Sequence, residues 1–301
     1  MRIGVLLNER GGAEALGKLA DDARRAADDG FSSAWMSQIF GVDALTALAV
    51  AGGGVPGIEL GTAVVPTYPR HPAVLAQQAR TVALALRGRF TLGIGLSHKI
   101  VIEDMYGYDF GRPLRHMDEY LSVLAPLLAG ENSSFTGETV RGHIGLTVPN
   151  EGRVPLLLAA LGPKMLKLAG ERADGTVLWM TGPATVREHI VPTIAAAAEA
   201  AGRDAPRVVC VLPVCVTGDV DAAREQAGET FAVYGALPSY RAMMDREGVE
   251  GPKDLAIVGD EDAVAARLEE LSKAGVTDFV AAEYVPGDRR TRDFLKSAAG
   301  R

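Results

Sequence analysis

The feature that most constrains the fold of this chain is an alternation, repeated about eight times, of short apolar runs and longer segments of helical period. The apolar runs are rich in β-branched residues and leucine throughout, which is typical of parallel strands that are buried on both faces. Eight runs are candidate strands: Ile3–Leu7, Ser33–Met36, Ile58–Ala63, Phe90–Ile94, Val154–Ala159, Gly175–Trp179, Val208–Val216 and Asp278–Ala282.

The segments between these runs have the signals of helices, since several begin at Pro or Asp and end at Gly. Gly30, Gly202 and Gly275 are expected to end the helices that precede them. The predicted helices are Ala13–Asp29, Asp43–Ala51, Pro72–Leu86, Pro113–Leu128, Pro163–Arg172, Ala184–Ala201 and Asp260–Ala274.

Repeated βα units predict an α/β protein with the (β/α)8 TIM barrel fold. Residues 1–301 are expected to form a single domain, because no low-complexity tract or Ser/Gly/Pro linker interrupts the pattern. A doubly wound open sheet is the alternative. The residues after Leu7 are Asn8-Glu9-Arg10-Gly11-Gly12, without the G-x-G-x-x-G turn of a dinucleotide fold.

Three segments exceed the short connections of a minimal barrel. Ser97–Arg112 and Gly130–Gly152 are expected to be insertions that build the active-site wall at the C-terminal face, and Phe135–Thr139 predicts a turn between short strands. Thr230–Lys253 has aromatic residues, two methionines and charges without periodicity, and predicts an irregular helix pair or a lid. In such barrels these loops choose the substrate, so its identity does not follow from the sequence.

Composition excludes several classes of protein. Hydrophobic residues make up 48% and charged residues 23%, the balance of a globular chain with a sizeable core. The net charge of −7 and the lack of a basic run argue against a nucleic-acid partner. Cys210 and Cys215, five residues apart in one strand, are expected to be buried thiols. No apolar stretch predicts a signal peptide or membrane span, so a cytoplasmic location is expected.

One stretch, from Leu60 to Ser97, joins a strand, a turn, a Pro-capped helix and a second strand. Its motifs resemble the signature of bacterial luciferase-like monooxygenases and deazaflavin-dependent reductases. The resemblance continues weakly in Phe31–Met36 and covers most of the first 180 residues. The motifs are Gly61-Thr62-Ala63-Val64, Arg70-His71-Pro72, Leu75-Ala76, Arg89-Phe90, Leu92-Gly93-Ile94-Gly95, Leu158-Ala159-Ala160-Leu161-Gly162-Pro163 and Ala173-Asp174-Gly175.

The resemblance implies a cofactor whose ring lies across the strand ends at the C-terminal mouth of the barrel. It also implies a non-prolyl cis peptide near Ala63-Val64 and a homodimer. Coenzyme F420 is the expected cofactor and FMN the alternative, since the Gly-Thr-Ala-Val-Val-Pro and Ala-Leu-Gly-Pro stretches resemble the deazaflavin branch more closely. The candidate cofactor-binding residues are Gln38, Thr62, Ala63, Val64, Gly95, Leu96, Ser97, Ala160, Leu161, Gly162 and Pro163.

Two of these segments have a physical reason to bind a cofactor. Glycine at position 95 permits close approach of the backbone to a ring, and Ser97 can hydrogen-bond a hydroxyl or phosphate. Gly162-Pro163 begins a helix directly after a strand, so its free N–H groups and dipole form an anion site that suits a phosphate. A tight turn and an ordinary helix start are the alternative interpretations.

The sequence offers two candidate catalytic residues, His98 and Gln38. His98 follows the Gly95-Leu96-Ser97 turn at the expected barrel mouth, where a titratable group could give or take a proton. The other four histidines, at positions 71, 116, 143 and 189, form no H-E-x-x-H or other ligand pattern, so no metal site is predicted. Cap, surface or core roles are at least as well supported as catalysis for four residues near strand ends: Asp43, Asp174, Trp179 and Glu283.

The chain departs from the family after its second strand. Alcohol and sugar-phosphate dehydrogenases of the deazaflavin branch have an Asp-His pair there, whereas this sequence has Gln38-Ile39. Ile39 cannot act as a base, which argues against oxidation of a hydroxyl by base-assisted hydride removal. Gln38 is expected either to hydrogen-bond the edge of the cofactor ring or to serve a loop.

The leading hypothesis is an oxidoreductase that transfers a hydride from reduced F420 to an activated C=C or C=N bond of a small organic substrate. The second is an FMN-dependent luciferase-like monooxygenase, which dependence on dioxygen would reveal. A non-catalytic cofactor-binding protein is the third, because the Asp-His pair is absent. An unrelated barrel isomerase or aldolase would need a strand-end lysine or a paired acid and base, and neither is well placed.

Overall fold

In a computed structural model, described over residues 1–7, 12–149 and 152–300, the chain forms a closed barrel of parallel strands. Residues 8–11, where the sequence lacks the glycine-rich turn of a dinucleotide fold, lie outside the described residues. Residues 150, 151 and 301 lie outside them as well. The described strands are β1 (Arg2–Leu6), β2 (Ser33–Met36), β3 (Glu59–Thr62), β4 (Val65–Pro66), β5 (Phe90–Gly95), β6 (Ser133–Thr136), β7 (Arg141–Ile144), β8 (Leu156–Leu158), β9 (Gly175–Trp179), β10 (Arg207–Val216), β11 (Ile257–Gly259) and β12 (Asp278–Glu283).

Eight of these strands close the barrel in the order β1, β2, β3, β5, β8, β9, β10, β12. Every neighbouring pair is parallel, and β12 pairs with β1 while β10 pairs with β9, which leaves the barrel without an open edge. The short strands β4 and β11 add to β5 and β10. The predicted (β/α)8 barrel is therefore confirmed, and each of the eight predicted strands contributes to it.

Helices follow the barrel strands on the outside, and those predicted after β1, β2, β3, β5 and β8 are present within a few residues of their expected bounds. Gly30, Gly202 and Gly275 end their helices with positive φ angles of 84°, 66° and 102°. The described helices are α1 (Ala15–Asp28), α2 (Ala44–Gly52), α3 (Pro72–Ala85), α4 (Pro113–Leu128), α5 (Pro163–Arg172), α6 (Pro183–Thr185), α7 (Val191–Ala200), α8 (Val220–Thr230), α9 (Ala232–Ala236), α10 (Pro238–Glu247), α11 (Pro252–Leu255), α12 (Glu261–Lys273) and α13 (Arg289–Ala299).

The prediction of one continuous helix over 184–201 is wrong in one respect. This part of the chain forms α6, a π-helical turn at Val186–Ile190, and α7. Pro192 lies in the first turn of α7 and has no N–H to donate to the preceding turn. The wider hydrogen-bond spacing of the π turn accommodates this missing donor. A second π-helical turn, Val101–Met105, occurs in the insertion after β5.

The interior of the barrel contains a buried cluster around Trp35, whose side chain is fully buried. Glycine at position 61 makes room for the indole, because a Cβ there would lie 2.4 Å from Trp35 Cε3. The rest of this cluster comes from strands around the barrel: Leu157, Val177, Val209, Val211, Val280 and Ala282. The barrel interior around Trp35 is thus a packed core rather than a channel.

A network of charges closes the N-terminal end of the barrel. The Arg207 guanidinium pairs with Glu59 and Asp278, each at 2.9 Å, and lies 5.8 Å from the centre of the Trp35 ring. A cavity of about 290 Å³ opens beside this network, but the Glu59 and Arg207 charges in its wall are paired. We therefore place the functional site at the opposite end.

The predicted turn at 135–139 is confirmed as the turn of the antiparallel hairpin β6–β7. The Gly130–Gly152 segment was expected to help build the active-site wall. Instead, its hairpin β6–β7 follows α4 and packs against α3 and α4. Glu119 of α4, only 8% exposed, holds the turn by accepting hydrogen bonds from the N–H groups of Glu138, Thr139 and Val140 at 3.1, 2.6 and 3.1 Å.

Replacing Glu119 tests how much this contact stabilises the hairpin. Burial would raise the pKa of Glu119, but the hydrogen bonds from residues 138–140 outweigh it and lower that pKa to about 2. We expect Glu119→Gln to lower the free energy of unfolding by about 2 kcal/mol at pH 7, measured by urea denaturation. The difference should narrow as pH falls from 4.5 towards 2, because the wild-type carboxylate is then protonated too.

The exposed carboxylate of Glu131 provides the matched control. Glu131→Gln should change the free energy of unfolding by less than about 0.5 kcal/mol at either pH. Equal effects of the two substitutions would mean that Glu119 does not anchor the hairpin.

Candidate active site

The C-terminal rim differs from the rest of the barrel because its interior side chains are only partly buried. Three residues at this rim pack on the buried cluster around Trp35 and remain partly exposed: Ala63, Val64 and Trp179. Below them, Trp35 and Val209 are completely buried. The rim is therefore where an apolar ring could contact the barrel interior.

The peptide bond between Ala63 and Val64 is cis, as the family resemblance implied. Two hydrogen bonds connect this turn to the end of β2: the Ser37 hydroxyl donates to the Ala63 carbonyl at 2.8 Å, and the Gln38 N–H donates to the Val64 carbonyl at 3.4 Å. The turn and the β2 loop therefore form one connected part of the rim.

Thr62 does not face the rim, contrary to its predicted role as a cofactor ligand. Its side chain is completely buried, and its hydroxyl donates to the Gly93 carbonyl and accepts from the Gly93 N–H, both at 2.8 Å. Both hydrogen-bonding functions of the hydroxyl are used between β3 and β5. Thr62 supports the cis turn from behind.

Gly95 lies at the point where β5 approaches the cis turn. A Cβ at this position would lie 2.8 Å from Val64 Cγ2 and 3.2 Å from Ala159 Cβ. Ser97 follows with φ of +64°, a left-handed conformation that is uncommon for a residue with a side chain and is often found at functional sites. Between them, Leu96 packs against the hydrophobic core, so its side chain belongs to the wall rather than to a ligand surface.

The segment from Ala160 to Pro163 divides in the same way. Ala160 is 1% exposed, so its predicted contact with a cofactor is not supported. Leu161 packs against the core, and its carbonyl accepts a hydrogen bond from His189 Nε2 at 2.8 Å. Gly162 and Pro163 are exposed at the start of α5.

The N-terminus of α5 has the chemistry of an anion site. Its first intrahelical bond runs from Leu166 N–H to the Gly162 carbonyl at 2.9 Å, so the N–H groups of Lys164 and Met165 have no acceptor within the helix. Gly162 caps the helix without a side-chain hydrogen bond, and exposed Lys164 adds a positive charge. The positive end of the helix dipole and these donors together favour a phosphate.

His98 lies at the rim, as its position after Ser97 predicted. It is partly buried, and its ring lies 5.6 Å from the ring of Tyr240 at a tilt of 58°. Burial lowers the pKa of His98 below its ordinary value of 6.5, so the imidazole is neutral at pH 7. A neutral imidazole can donate or accept a hydrogen bond and becomes an acid only in more acidic solution.

Gln38 has a definite structural role. Its Oε1 accepts a hydrogen bond from Ala44 N–H at 2.7 Å and so satisfies one of the first N–H groups of α2. The neighbouring Ile39 and Phe40 are 55% and 62% exposed at the rim. The loop interpretation of Gln38 is therefore supported, and its contact with a cofactor ring stays a prediction.

Three of the acidic residues near strand ends are structural. Asp43 caps α2 by accepting from Thr46 N–H at 2.9 Å and also pairs with Arg70. Asp174 lies at the start of β9, near the N-terminal end of the barrel, and binds both guanidinium nitrogens of Arg153. Glu283 pairs with Arg292 at 2.8 Å.

Trp179, in contrast, belongs to a row of six rings along the rim, here called the aromatic arc. Its neighbours are Phe231 at 5.5 Å and Tyr234 at 5.4 Å between ring centres, both nearly perpendicular to the indole. The full arc consists of His98, Tyr240, Tyr234, Phe231, Trp179 and Tyr284. Sequence reasoning missed it because segment 230–253 has no periodicity that assigns its rings to one face.

The segment that carries three of these rings is anchored at its far end. Glu247, at the end of α10, accepts hydrogen bonds from the N–H groups of Ala184 and Thr185 at 3.2 and 2.7 Å. Glu247 thus caps α6, which follows β9, with a carboxylate at the positive end of that helix. The irregular segment is a set of short helices held across the rim, as the predicted irregular helices implied, and its role as a lid stays a prediction.

Cys210 and Cys215 are buried free thiols, as expected. In the part of the chain that the structure describes, no group of three or more His, Cys, Asp or Glu side chains could hold a metal ion. Among the same residues, no helix is long and apolar enough to cross a bilayer.

Comparisons with known proteins agree with this geometry. The model of the luciferase-like monooxygenase family matches residues 1–278. A 5,10-methylenetetrahydromethanopterin reductase from Methanolobus tindarius is 28% identical over 293 residues, which cover 88% of this chain and 89% of that protein. The chain therefore belongs to the luciferase-like monooxygenase family.

Two solved structures share the fold over nearly their whole length. The coenzyme F420-dependent tetrahydromethanopterin reductase of Methanopyrus kandleri has a TM-score of 0.82 at 24% identity and covers 98% of this chain and 97% of its own. The oxygenating constituent of 3,6-diketocamphane monooxygenase from Pseudomonas putida, solved with FMN, has a TM-score of 0.76 at 17% identity, over 99% and 96% of the two chains. A coenzyme F420-dependent reductase and a monooxygenase solved with FMN thus share this fold.

Proposed function

We propose that this protein is an oxidoreductase that uses reduced coenzyme F420 to transfer a hydride to an activated C=N or C=C bond of a small organic molecule. The observation that carries the proposal is the rim itself, where the cis turn at Ala63-Val64 and the anion site at Gly162-Pro163 are partly or fully exposed. Similarity to the Methanolobus reductase over 88% of the chain supports the same chemistry.

The residues of the rim fit such a cofactor. Ala63 and Val64 offer an apolar surface for a flat ring, and Gly95 lets β5 come close beneath it. The N–H groups at the start of α5 suit its phosphate. When bound, the reduced deazaflavin would supply the hydride, and the protein would hold the ring and the acceptor in reacting distance.

Ile39 supports reduction of the substrate rather than its oxidation. Oxidation of a hydroxyl needs a base to take the proton, and the exposed isoleucine that follows Gln38 cannot do so. Reduction of an iminium carbon needs no proton from the protein, whereas reduction of a C=C bond does. His98 is the titratable group at the rim that we assign to that proton.

The test is a titration of the purified protein with oxidised F420 and, separately, with FMN, followed by cofactor fluorescence. We expect micromolar binding of F420 and at least about tenfold weaker binding of FMN. The FMN-containing relative is the reason to include the second cofactor. Preference for FMN together with consumption of dioxygen would favour a monooxygenase, and binding without turnover of any acceptor would favour a non-catalytic protein.

The role of His98 predicts a pH dependence. Because the pKa of His98 is lowered, the imidazolium that can donate a proton accumulates only below the ordinary value of 6.5. For a C=C acceptor, we expect the rate of hydride transfer to rise as pH falls through this range, and His98→Gln to reduce the rate about 100-fold and to flatten the profile. Single-turnover oxidation of reduced F420 measures both.

The exposed His143 on the hairpin offers a matched control. His143→Gln should keep the wild-type rate and pH profile, and neither substitution should change F420 affinity by more than about threefold. A His98→Gln protein with an unchanged pH profile would remove His98 from the mechanism.

The homodimer that the family resemblance implies is part of the proposal. Val50 of α2 and Val74 of α3 are each 56% exposed on helices that pack side by side. Exposed apolar side chains on two adjacent helices favour burial against a second copy. Sedimentation equilibrium of the wild type and of Val50→Glu tests it, with a monomeric wild type as the contrary result.

A further inference from the structure

The aromatic arc extends across the rim from the loop after β5 to the end of β12. Tyr240 contacts both His98 at 5.6 Å and Tyr234 at 5.4 Å, and Phe231 contacts Tyr284 at 5.8 Å between ring centres. All six side chains of the arc are only partly buried, so they form a surface as well as an internal contact. Rings in this arrangement can accept another flat ring by stacking or edge-to-face contact.

The arc is electrically neutral at pH 7. Burial lowers the pKa of His98 and raises the pKa of Tyr234, which favours the uncharged form of each side chain. Burial also raises the pKa of Tyr240 and Tyr284 above the ordinary value of 10.0. None of the six side chains that form the arc is a lysine or an arginine, so the arc itself offers no cation to bind a carboxylate or phosphate of a substrate.

One hydrogen-bond donor of the arc has no acceptor among the described residues. The indole Nε1–H of Trp179 is buried and has no hydrogen-bond partner among the described residues. A buried donor without an acceptor is rare in folded proteins, because it loses its hydrogen bond to water without compensation. Trp179 is also the last residue of β9 and packs on the same buried cluster as Ala63 and Val64.

Two simpler explanations account for less of this. A purely structural aromatic cluster would explain the edge-to-face contacts but would leave Nε1 of Trp179 unsatisfied. A site for a small aliphatic substrate would not need six rings along one side of the rim. A flat ligand that bears an acceptor oxygen would use both the ring surface and the free donor.

We propose that the substrate is a planar, uncharged heteroaromatic compound that packs on the aromatic arc and accepts a hydrogen bond from Trp179 Nε1. This inference rests on the proposed function, since the arc lies beside the rim assigned to the cofactor. It makes Trp179 a specificity-determining residue, because the free donor selects ligands with an acceptor at that position.

The composition of the chain allows a direct test, because its only tryptophans are Trp35 and Trp179. Protein labelled with 5-fluorotryptophan should give two fluorine NMR resonances, and Trp179→Phe assigns them by removing one. The probe is quinolin-2-one, a flat bicyclic lactam, and piperidin-2-one is the control that keeps the lactam without the aromatic rings. Affinities are measured by calorimetry with and without saturating F420.

We expect quinolin-2-one to shift the Trp179 resonance and not that of Trp35, and to bind at least about tenfold more tightly than piperidin-2-one. Trp179→Phe keeps an aromatic ring and removes the donor, and it should weaken quinolin-2-one binding about fivefold to tenfold. Tyr234→Leu removes a ring of the arc and should weaken the binding of quinolin-2-one, whereas His143→Gln on the exposed hairpin should leave the affinity unchanged.

Equal affinity for the two lactams, or no change on Trp179→Phe, would overturn the inference. A probe that shifts neither tryptophan resonance would overturn it as well. F420 binding by wild type and variants, followed separately by its fluorescence, distinguishes this failure from failure of the proposed function. A wild-type protein that does not bind F420 would refute the oxidoreductase proposal. The affinity for quinolin-2-one would still show whether the aromatic arc binds a flat heteroaromatic ligand.

Discussion

Gly162→Asp is expected to weaken F420 binding by about 30-fold, which corresponds to about 2 kcal/mol. A carboxylate at this position would lie at the start of α5, where the N–H groups of Lys164 and Met165 have no acceptor within the helix. Its negative charge would repel the cofactor phosphate from these donors. The dissociation constant from F420 fluorescence measures the effect.

The substitution should not harm the fold. A Cβ at Gly162 would meet no atom within 4 Å, and the residue has ordinary extended angles of φ −77° and ψ 152°. Asp and Asn are better N-caps than Gly, so thermal stability should be equal or slightly higher.

Gly162→Asn supplies the matched control, because it has the shape and capping ability of Asp without the charge. We expect its F420 affinity to stay within about threefold of wild type. If the Asp and Asn proteins bind F420 equally well, the phosphate lies elsewhere and the anion-site interpretation is incorrect.

The second large effect concerns stability at the opposite end of the barrel. Arg207→Leu is expected to lower the free energy of unfolding by about 3 kcal/mol, or the melting temperature by about 5–10 °C. The substitution removes a partner of Asp278, which is 2% exposed, and of Glu59. Arg2 would remain near both carboxylates but is itself partly in solvent.

The pH dependence has a defined sign. Burial opposes ionisation of Asp278, but the hydrogen bond and charge of Arg207 outweigh it and hold the pKa of Asp278 below its ordinary value of 3.8. The stabilisation is therefore present above pH 3.8 and is lost as pH falls below it. Urea denaturation at pH 7 and pH 3 should show a smaller effect of Arg207→Leu at the lower pH.

Arg290→Leu is the control for this experiment. Arg290 pairs with Glu261 at 2.7 Å, but both side chains are about half exposed, so its removal should cost less than about 1 kcal/mol. F420 affinity at 25 °C should be unchanged in both proteins, since neither residue lies at the C-terminal rim. An Arg207→Leu protein as stable as Arg290→Leu would show that the buried network does not stabilise the barrel.

Much of the fold was predictable because its signals are local. Strands such as Ser33–Met36 and Gly175–Trp179 have the same bounds in the structure as in the sequence prediction. Pro72, Pro113 and Pro163 begin their helices, since a fixed φ and a missing N–H suit the first turn. Side-chain period and chain-breaking residues act over a few positions, so no knowledge of the barrel was needed.

The candidate site was predictable only as a set of segments. The sequence selected Ala63-Val64, Gly95–Ser97 and Gly162-Pro163, and the structure brings all three to the rim. It also selected Thr62 and Ala160, which the structure buries behind the rim. Neighbouring residues in a strand point to opposite faces, and the ends of these strands deviate from regular geometry, so a motif does not reveal which member faces the ligand.

The sequence by itself determined the barrel, its eight strands and most of the helices between them, and the segments that meet at its C-terminal end. Only the tertiary structure decided that Gln38 caps α2, that the hairpin packs on the outer helices, and that distant rings form the aromatic arc. These features depend on contacts between residues far apart in the chain, such as His98 with Tyr240 and Trp179 with Tyr234. Barrel closure sets those distances, and no local pattern encodes them.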